Sequence, residues 1–263
     1  MEQLETTEER GHLTVEGRAL EYLRLPGDPE KPLLVLLHEG LGCVALWRDF
    51  PQALAARTGC GVFVYSRAGY GGSSPCALPR PLSYMQDEAQ ETLPPLLAQL
   101  EAGSLVLLGH SDGGSIAAVN AGACPDPRLR GLIMMAPHFF TEPMGLAAIA
   151  ETDRLYAEGD LRRRLARYHG ENVDCAFRGW ADSWLAPGFL EWNLRPFLPG
   201  VAVPTLVIQG EGDEYGTRAQ VETAAALIPG RVETHLLPAC GHSPQKDQRE
   251  RVLELVGGFL AGL

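Results

Sequence analysis

Lysine is almost missing from this chain of 263 residues, with only Lys31 and Lys246 standing beside twenty arginines. Chemistry that runs through a lysine Schiff base would have to use one of those two. Both lie in polar contexts that read as exposed, which speaks against it. Positive charge is short overall. Acidic residues number 33 and basic residues 22, for a net charge of −11, and such a surface repels phosphate backbones, so no nucleic-acid partner is expected. No apolar run approaches the roughly 20 residues that span a bilayer. Runs such as Leu33 to Leu37 have strand length, so no membrane partner is expected either. The six cysteines, at 43, 60, 76, 124, 175 and 240, include no C-x-x-C pair, which removes zinc knuckles and thioredoxin-type sites. No metal-ligand cluster or phosphate-cradling glycine loop stands out, so neither a metal nor another cofactor is expected. The opening MEQLETTEER lacks the apolar stretch of a secretory signal, and reduced thiols in the cytoplasm are the matching expectation.

What is present is ordinary for a folded chain: 45% hydrophobic and 21% charged residues, and a length that suits one large α/β domain or two small ones. His12 to Glu16 and Ala19 to Leu25 read as a hairpin about Gly17-Arg18. PGDPEKP (26–32) is a loop, and Leu33 to Leu37 is a strand buried on both faces. A helix over 46–58 and a strand over 61–66 follow. Helices over 84–102, 112–123, 217–228 and 246–262 then alternate with strands over 104–109, 131–136, 204–210 and 231–237. That alternation predicts an α/β fold with a mostly parallel central sheet and helices on both faces. Residues 138–200 interrupt it. They hold no strand-like run, but carry Trp180, Trp184 and Trp192 and the cluster Arg162-Arg163-Arg164. A helical insertion with its own small aromatic core is expected there, the arginines on a solvated face.

The strand over 104–109 runs straight into Gly109-His110-Ser111-Asp112-Gly113-Gly114, where a helix begins. This is G-x-S-x-G in a strand–turn–helix setting. The turn projects the serine hydroxyl beyond the sheet, the flanking glycines remove side chains that would collide, and the helix start offers free N–H groups to a developing oxyanion. A serine nucleophile needs a base, and the base needs an orienting acid. Of seven histidines, His242 lies in the loop after the last apolar strand, at the end of the sheet where open α/β folds place their sites. His235 lies within a strand pattern, and His110 is confined to the serine turn. Asp213 follows the strand over 204–210 by a short turn, with Glu211 and Glu214 as neighbouring alternatives. Asp112 admits two readings. It suits the positive end of the helix it starts, or its charge, next to the acyl pocket, selects cationic substrates such as amino-acid esters.

The order Ser111, Asp213, His242 and the serine turn together resemble the α/β-hydrolase superfamily, in the capped group that holds serine esterases and carbon–carbon bond hydrolases, over nearly the whole chain. His38-Glu39-Gly40-Leu41-Gly42 resembles that family's His-Gly oxyanion segment, with Glu39 where glycine is usual. Ser66-Arg67-Ala68-Gly69-Tyr70-Gly71-Gly72-Ser73 resembles its structural D-x-R-G-x-G-x-S turn, with Ser66 in place of Asp. The resemblance implies a core of residues 1–137 and 201–263 and a helical cap of residues 138–200. It implies catalytic roles for Ser111, His242 and Asp213, oxyanion donors at the N–H groups of Gly40 and Asp112, and no metal or other cofactor. Glu39, His138, Trp180 and Trp184 are the candidates for the pocket wall. The expected activity is hydrolysis of a small carboxylic ester or thioester through an acyl-enzyme. The alternatives are carbon–carbon cleavage of ring-cleavage products and a non-catalytic ligand-binding role; the second has no support from a chain that keeps all three residue types in order. Halide-releasing relatives fit less well, because their nucleophile is an aspartate where Ser111 stands.

Overall fold

The computed structural model describes residues 8–124 and 126–263, so the first seven residues of the acidic opening lie outside the described part. Strands β1 (Glu9–Val15) and β2 (Arg18–Leu25) form the expected hairpin. Its turn falls on Glu16-Gly17, one residue before the expected Gly17-Arg18, and both residues take positive φ, 48° and 75°, as a type I′ turn demands. The remaining strands, β3 (Leu33–Leu37), β4 (Val62–Tyr65), β5 (Leu105–His110), β6 (Leu129–Met135), β7 (Thr205–Gly210) and β8 (Val232–Leu237), run parallel to one another. All eight make one sheet in the order β1-β2-β4-β3-β5-β6-β7-β8, with β2 joining β4 antiparallel.

Alternate residues of the central strands face opposite sides, and each side has its own helices. Leu34, Leu36, Val106, Leu108 and Ile133 pack with Phe50 and Leu54 of α1 (Phe50–Thr58), and with Val252, Val256 and Phe259 near the C-terminus. Val35, Leu37, Leu107, Leu132 and Met134 pack on the other side with helical residues of the 84–123 stretch. Burial on both faces is why these strands read as unbroken apolar runs.

Two long helices expected from periodicity are broken. The stretch over 84–102 consists of α2 (Tyr84–Asp87), a π-helical turn over Glu88–Thr92 and α3 (Leu93–Ala98). Pro94 and Pro95 have no N–H to offer the carbonyls four residues back, and the turn before them widens. After α4 (Asp112–Ala123), the stretch between β6 and β7 holds α5 (Pro143–Glu158), α6 (Leu161–His169) and α7 (Val173–Leu185). Phe189 and Trp192 stack there with Trp184 packed at a tilt against both, and Arg162, Arg163 and Arg164 pair at the surface with Asp174 and Asp160. Beyond α8 (Arg218–Leu227), the last expected helix is split into α9 (Pro244–Asp247) and α10 (Arg249–Ala261). Asp247 accepts the Gly241 N–H at 2.9 Å, which folds the short α9 back onto the loop that carries His242. No helix among the described residues is long and apolar enough to cross a membrane.

Candidate active site

Ser111 stands alone between β5 and α4, at φ 53° and ψ −122°. A side-chain-bearing residue rarely adopts that conformation, and it persists only where neighbours over-determine it. They do so here. A Cβ on Gly109 would lie 2.2 Å from the Gly113 carbonyl oxygen, and one on Gly113 would lie 2.1 Å from that of Leu37. The Ser111 N–H donates to Met135 O at 2.8 Å, fastening the turn to the next strand.

The loops after β7 and β8 bring the other two residues to it. His242 Nε2 lies 2.9 Å from Ser111 Oγ, and His242 Nδ1 lies 2.9 Å from both carboxylate oxygens of Asp213. A carboxylate only accepts, so Nδ1 carries the proton and Nε2 is free to accept from the serine hydroxyl. The Asp213 side chain is fully buried. Its Oδ1 accepts N–H groups of Tyr215 (2.8 Å) and Gly216 (3.2 Å), and its Oδ2 accepts from Gln209 Nε2 at 3.2 Å. Burial pushes the Asp213 carboxyl upward, but the His242 bond and charge and the Tyr215 N–H outweigh it and hold the group below its ordinary value. Glu211 and Glu214 make no such contacts with His242.

The oxyanion-type segment is locked from behind. His38 Nδ1–H donates to Glu39 O at 2.7 Å and His38 Nε2 accepts the Arg67 N–H at 3.1 Å, which leaves one neutral tautomer. The buried Arg67 guanidinium donates to His38 O (2.7 Å) and Glu39 O (3.0 Å). Ser66 accepts the Val44 N–H at 2.9 Å and donates to Glu21 Oε2 at 2.7 Å, so Glu21 supplies the carboxylate that the serine lacks. The Gly40 N–H has no acceptor among the described residues, and the Asp112 N–H, first in α4, has none within its helix. His169, at the end of α6, accepts the Gly71 N–H through Nδ1 and donates Nε2–H to Leu41 O, each at 3.0 Å.

Residues 34–255 match the alpha/beta hydrolase family. The chain belongs to that family. Among curated relatives it is 31% identical over 244 residues to the polyketide synthase ThaQ of Burkholderia thailandensis, covering 80% of this chain but only 11% of that synthase. It is 30% identical over 228 residues to the magnesium-chelatase 30 kDa subunit of Rhodobacter capsulatus, covering 77% of this chain and 78% of that subunit. A solved carboxylesterase from Bacillus subtilis superposes with a TM-score of 0.71 at 21% identity, over 98% of this chain and 93% of that one, a likeness of fold.

In this alpha/beta hydrolase, Ser111 and His242 open onto a cavity of about 240 Å³. Glu39, Gly40, Asp112, His138, Trp180 and Trp184 all line it, as do Glu214 and Tyr215. Trp192 does not; it packs behind Trp184. Gly40 has to be glycine, because a Cβ there would sit 2.3 Å from Trp180 Nε1. Glu39 faces His110 Nδ1 at 3.5 Å and Lys246 Nζ at 3.8 Å. Burial raises its carboxyl, but His110, Lys246 and His38 outweigh this and hold it well below the carboxylate range. His110 also reaches the His242 carbonyl through Nε2 at 2.7 Å. Burial, with His242 adding, pushes His138 down to about 3.

Asp112 is 1% exposed, which removes the picture of a solvated helix-end carboxylate. Tyr84 Oη donates to its Oδ2 at 2.6 Å, and Trp184 Nε1 donates in turn to Tyr84 Oη at 3.0 Å. Tyr84, Gln209, Tyr215 and His169 were not singled out from sequence. Only Gln209 and Tyr215 carried a signal, by flanking Asp213. No group of three His, Cys, Asp or Glu among the described residues is placed to hold a metal ion.

Proposed function

We propose that the chain is a serine hydrolase of small carboxylic esters or thioesters, working through an acyl-enzyme. The observation that carries this reading is the unbroken chain from Ser111 Oγ through the His242 ring to buried Asp213, at 2.9 Å on both sides of the imidazole. In the forward step His242 Nε2 takes the Ser111 proton as Oγ attacks the ester carbonyl. The Gly40 and Asp112 N–H groups hold the oxygen that becomes negative. Asp213 keeps the ring in the accepting tautomer and steadies the imidazolium. The imidazolium then returns its proton to the departing alcohol or thiol. Water, deprotonated by the same nitrogen, cleaves the acyl-serine. Residues 138–200 act as the cap, placing Trp180 and Trp184 over Ser111, and a cavity of about 240 Å³ restricts the acyl group to a small one.

A fluorophosphonate probe should label Ser111 alone, and Ser111→Ala should remove labelling and lower kcat on p-nitrophenyl esters on the order of 10³-fold or more. Label on another residue, or unchanged turnover in the alanine variant, refutes the reading. Running an aryl-dienoic acid beside the ester panel tests carbon–carbon cleavage in the same experiment.

A further inference from the structure

We propose that Cys76 and Cys175 are a modification site: a small-molecule disulfide oxidises the two thiols to an internal bond that clasps α7 reversibly to the core. Cys76 lies in the loop between β4 and α2, and Cys175 lies in the first turn of α7, 99 positions further on. All six cysteines of the chain are free, and these two face each other with their Sγ atoms 2.7 Å apart. A disulfide bond is about 2.0 Å long, so the sulfurs need to close by well under an ångström. Neither lines the Ser111 cavity.

The surroundings hold the two sulfurs together. Gly69, at φ 84°, turns its bare face to both: a Cβ there would lie 2.6 Å from Cys76 Sγ and 2.7 Å from Cys175 Sγ. Arg80 lies over the Tyr70 ring at 4.5 Å and donates to Ala68 O at 3.3 Å. It also crosses the seam to α7, where a Cβ on Gly179 would meet its Nε at 2.3 Å. Cys43, Cys60 and Cys240 are buried, whereas Cys76 and Cys175 are only partly so. Cys76 lines a cavity of about 220 Å³, separate from that of Ser111, which gives a small reagent a way to its sulfur. The Cys76 thiolate attacks one sulfur of the reagent and expels the other as a thiolate, leaving a mixed disulfide. Cys175 then gives its proton to water and displaces the second small thiolate from Cys76. Two protein thiols are oxidised, and one small disulfide is reduced to two thiols. Burial pushes the Cys76 thiol up, with the Arg80 guanidinium opposing. That burial disfavours the charged thiolate but not a neutral disulfide, so the closed bond suits the place. Closure joins the helix that carries Trp180 and Trp184 to the core, and a cross-link over so long a stretch constrains the unfolded chain strongly.

The test treats the whole chain with excess oxidised glutathione at mildly alkaline pH and then removes the reagent. The protein should become lighter by two hydrogens, with two of its six thiols closed to iodoacetamide in denaturant. Peptide mapping without reductant should join the fragments that hold Cys76 and Cys175. The Tm should rise on the order of 5–10 °C and fall back with dithiothreitol. Cys76→Ser and Cys175→Ser should each lose both the bond and the rise. A protein that stays reduced, a lasting glutathionyl adduct in place of the internal bond, or a bond that maps to another pair overturns the proposal. So does an unchanged Tm in protein whose bond has closed. Should either serine variant not fold, the map and the Tm of the wild type decide alone.

Discussion

Acid should unfold this protein partly through His138. The ring is 4% exposed and is pushed from 6.5 down to about 3, by burial first and then by His242 and His110, with Asp213 opposing. As pH falls through 6.5 the unfolded chain binds a proton at this residue, whereas the folded chain does not until about pH 3. Within that window the unfolded state holds the extra proton, so stability falls with pH. At pH 7.5 the effect is close to nothing; at pH 4.5 it amounts to about 2.7 kcal/mol. The perturbation is His138→Gln, which removes the titration and keeps a polar side chain. Urea unfolding of both proteins at pH 7.5, 6.5, 5.5 and 4.5 measures the difference in stability between them. Any packing cost of the glutamine is the same at every pH, and other buried groups, His38 among them, titrate in both proteins. The wild type should therefore lose about 2–3 kcal/mol relative to the variant across the series. A difference that stays constant from pH 7.5 to 4.5 would refute the reasoning.

Asp213→Asn should keep the fold and lower kcat on the order of 10³- to 10⁴-fold. Oδ1 must go on accepting the Tyr215 and Gly216 N–H groups, so the new NH₂ takes the Oδ2 position, where it donates to His242 Nδ1 and favours the tautomer whose Nε2 cannot accept from Ser111. Retained activity in a folded Asp213→Asn protein would remove the aspartate from the mechanism. Acylation of Ser111 should change tryptophan fluorescence; Trp180→Phe and Trp184→Phe should each reduce the change, and Trp192→Phe should leave it, because Trp192 is outside the cavity wall. A change that disappears only with Trp192 would reverse that assignment.

The strands of the central sheet were legible because burial on both faces makes them continuous apolar runs, and Ser111 because the glycines at 109 and 113 answer contacts made within a few residues and with the neighbouring strand. Helix continuity was less legible. Apolar periodicity runs through 84–98, but Pro94 and Pro95 withhold two donors, and the turn before them opens into a π-turn. At 246–262 the helix breaks at Gln248, directly after Asp247 has turned back to accept the Gly241 N–H. Side chains that reach the site from far along the chain left no local trace. Tyr84 meets Asp112 across 28 positions, where α2 packs on α4, and Trp184 meets Tyr84 across 100, where the α5–α7 stretch lies on the core. The replacement of Asp by Ser66 was visible, but its compensation by Glu21, on another strand, was not.

One imidazole ties two events together. His169 belongs to the α5–α7 stretch, yet its two ring nitrogens grip Gly71 and Leu41, and Leu41 directly follows Gly40. Asn172 adds two more bonds across the same seam, to Gly71 O and Ser73 O. That stretch cannot lift as a body without letting go of the loop that presents the Gly40 N–H. Under the proposed mechanism the N–H that would hold the oxyanion is thus moored, through its neighbour Leu41, to a helix far along the chain, so a change that loosens His169 should be felt at Ser111 chemistry as well as in stability.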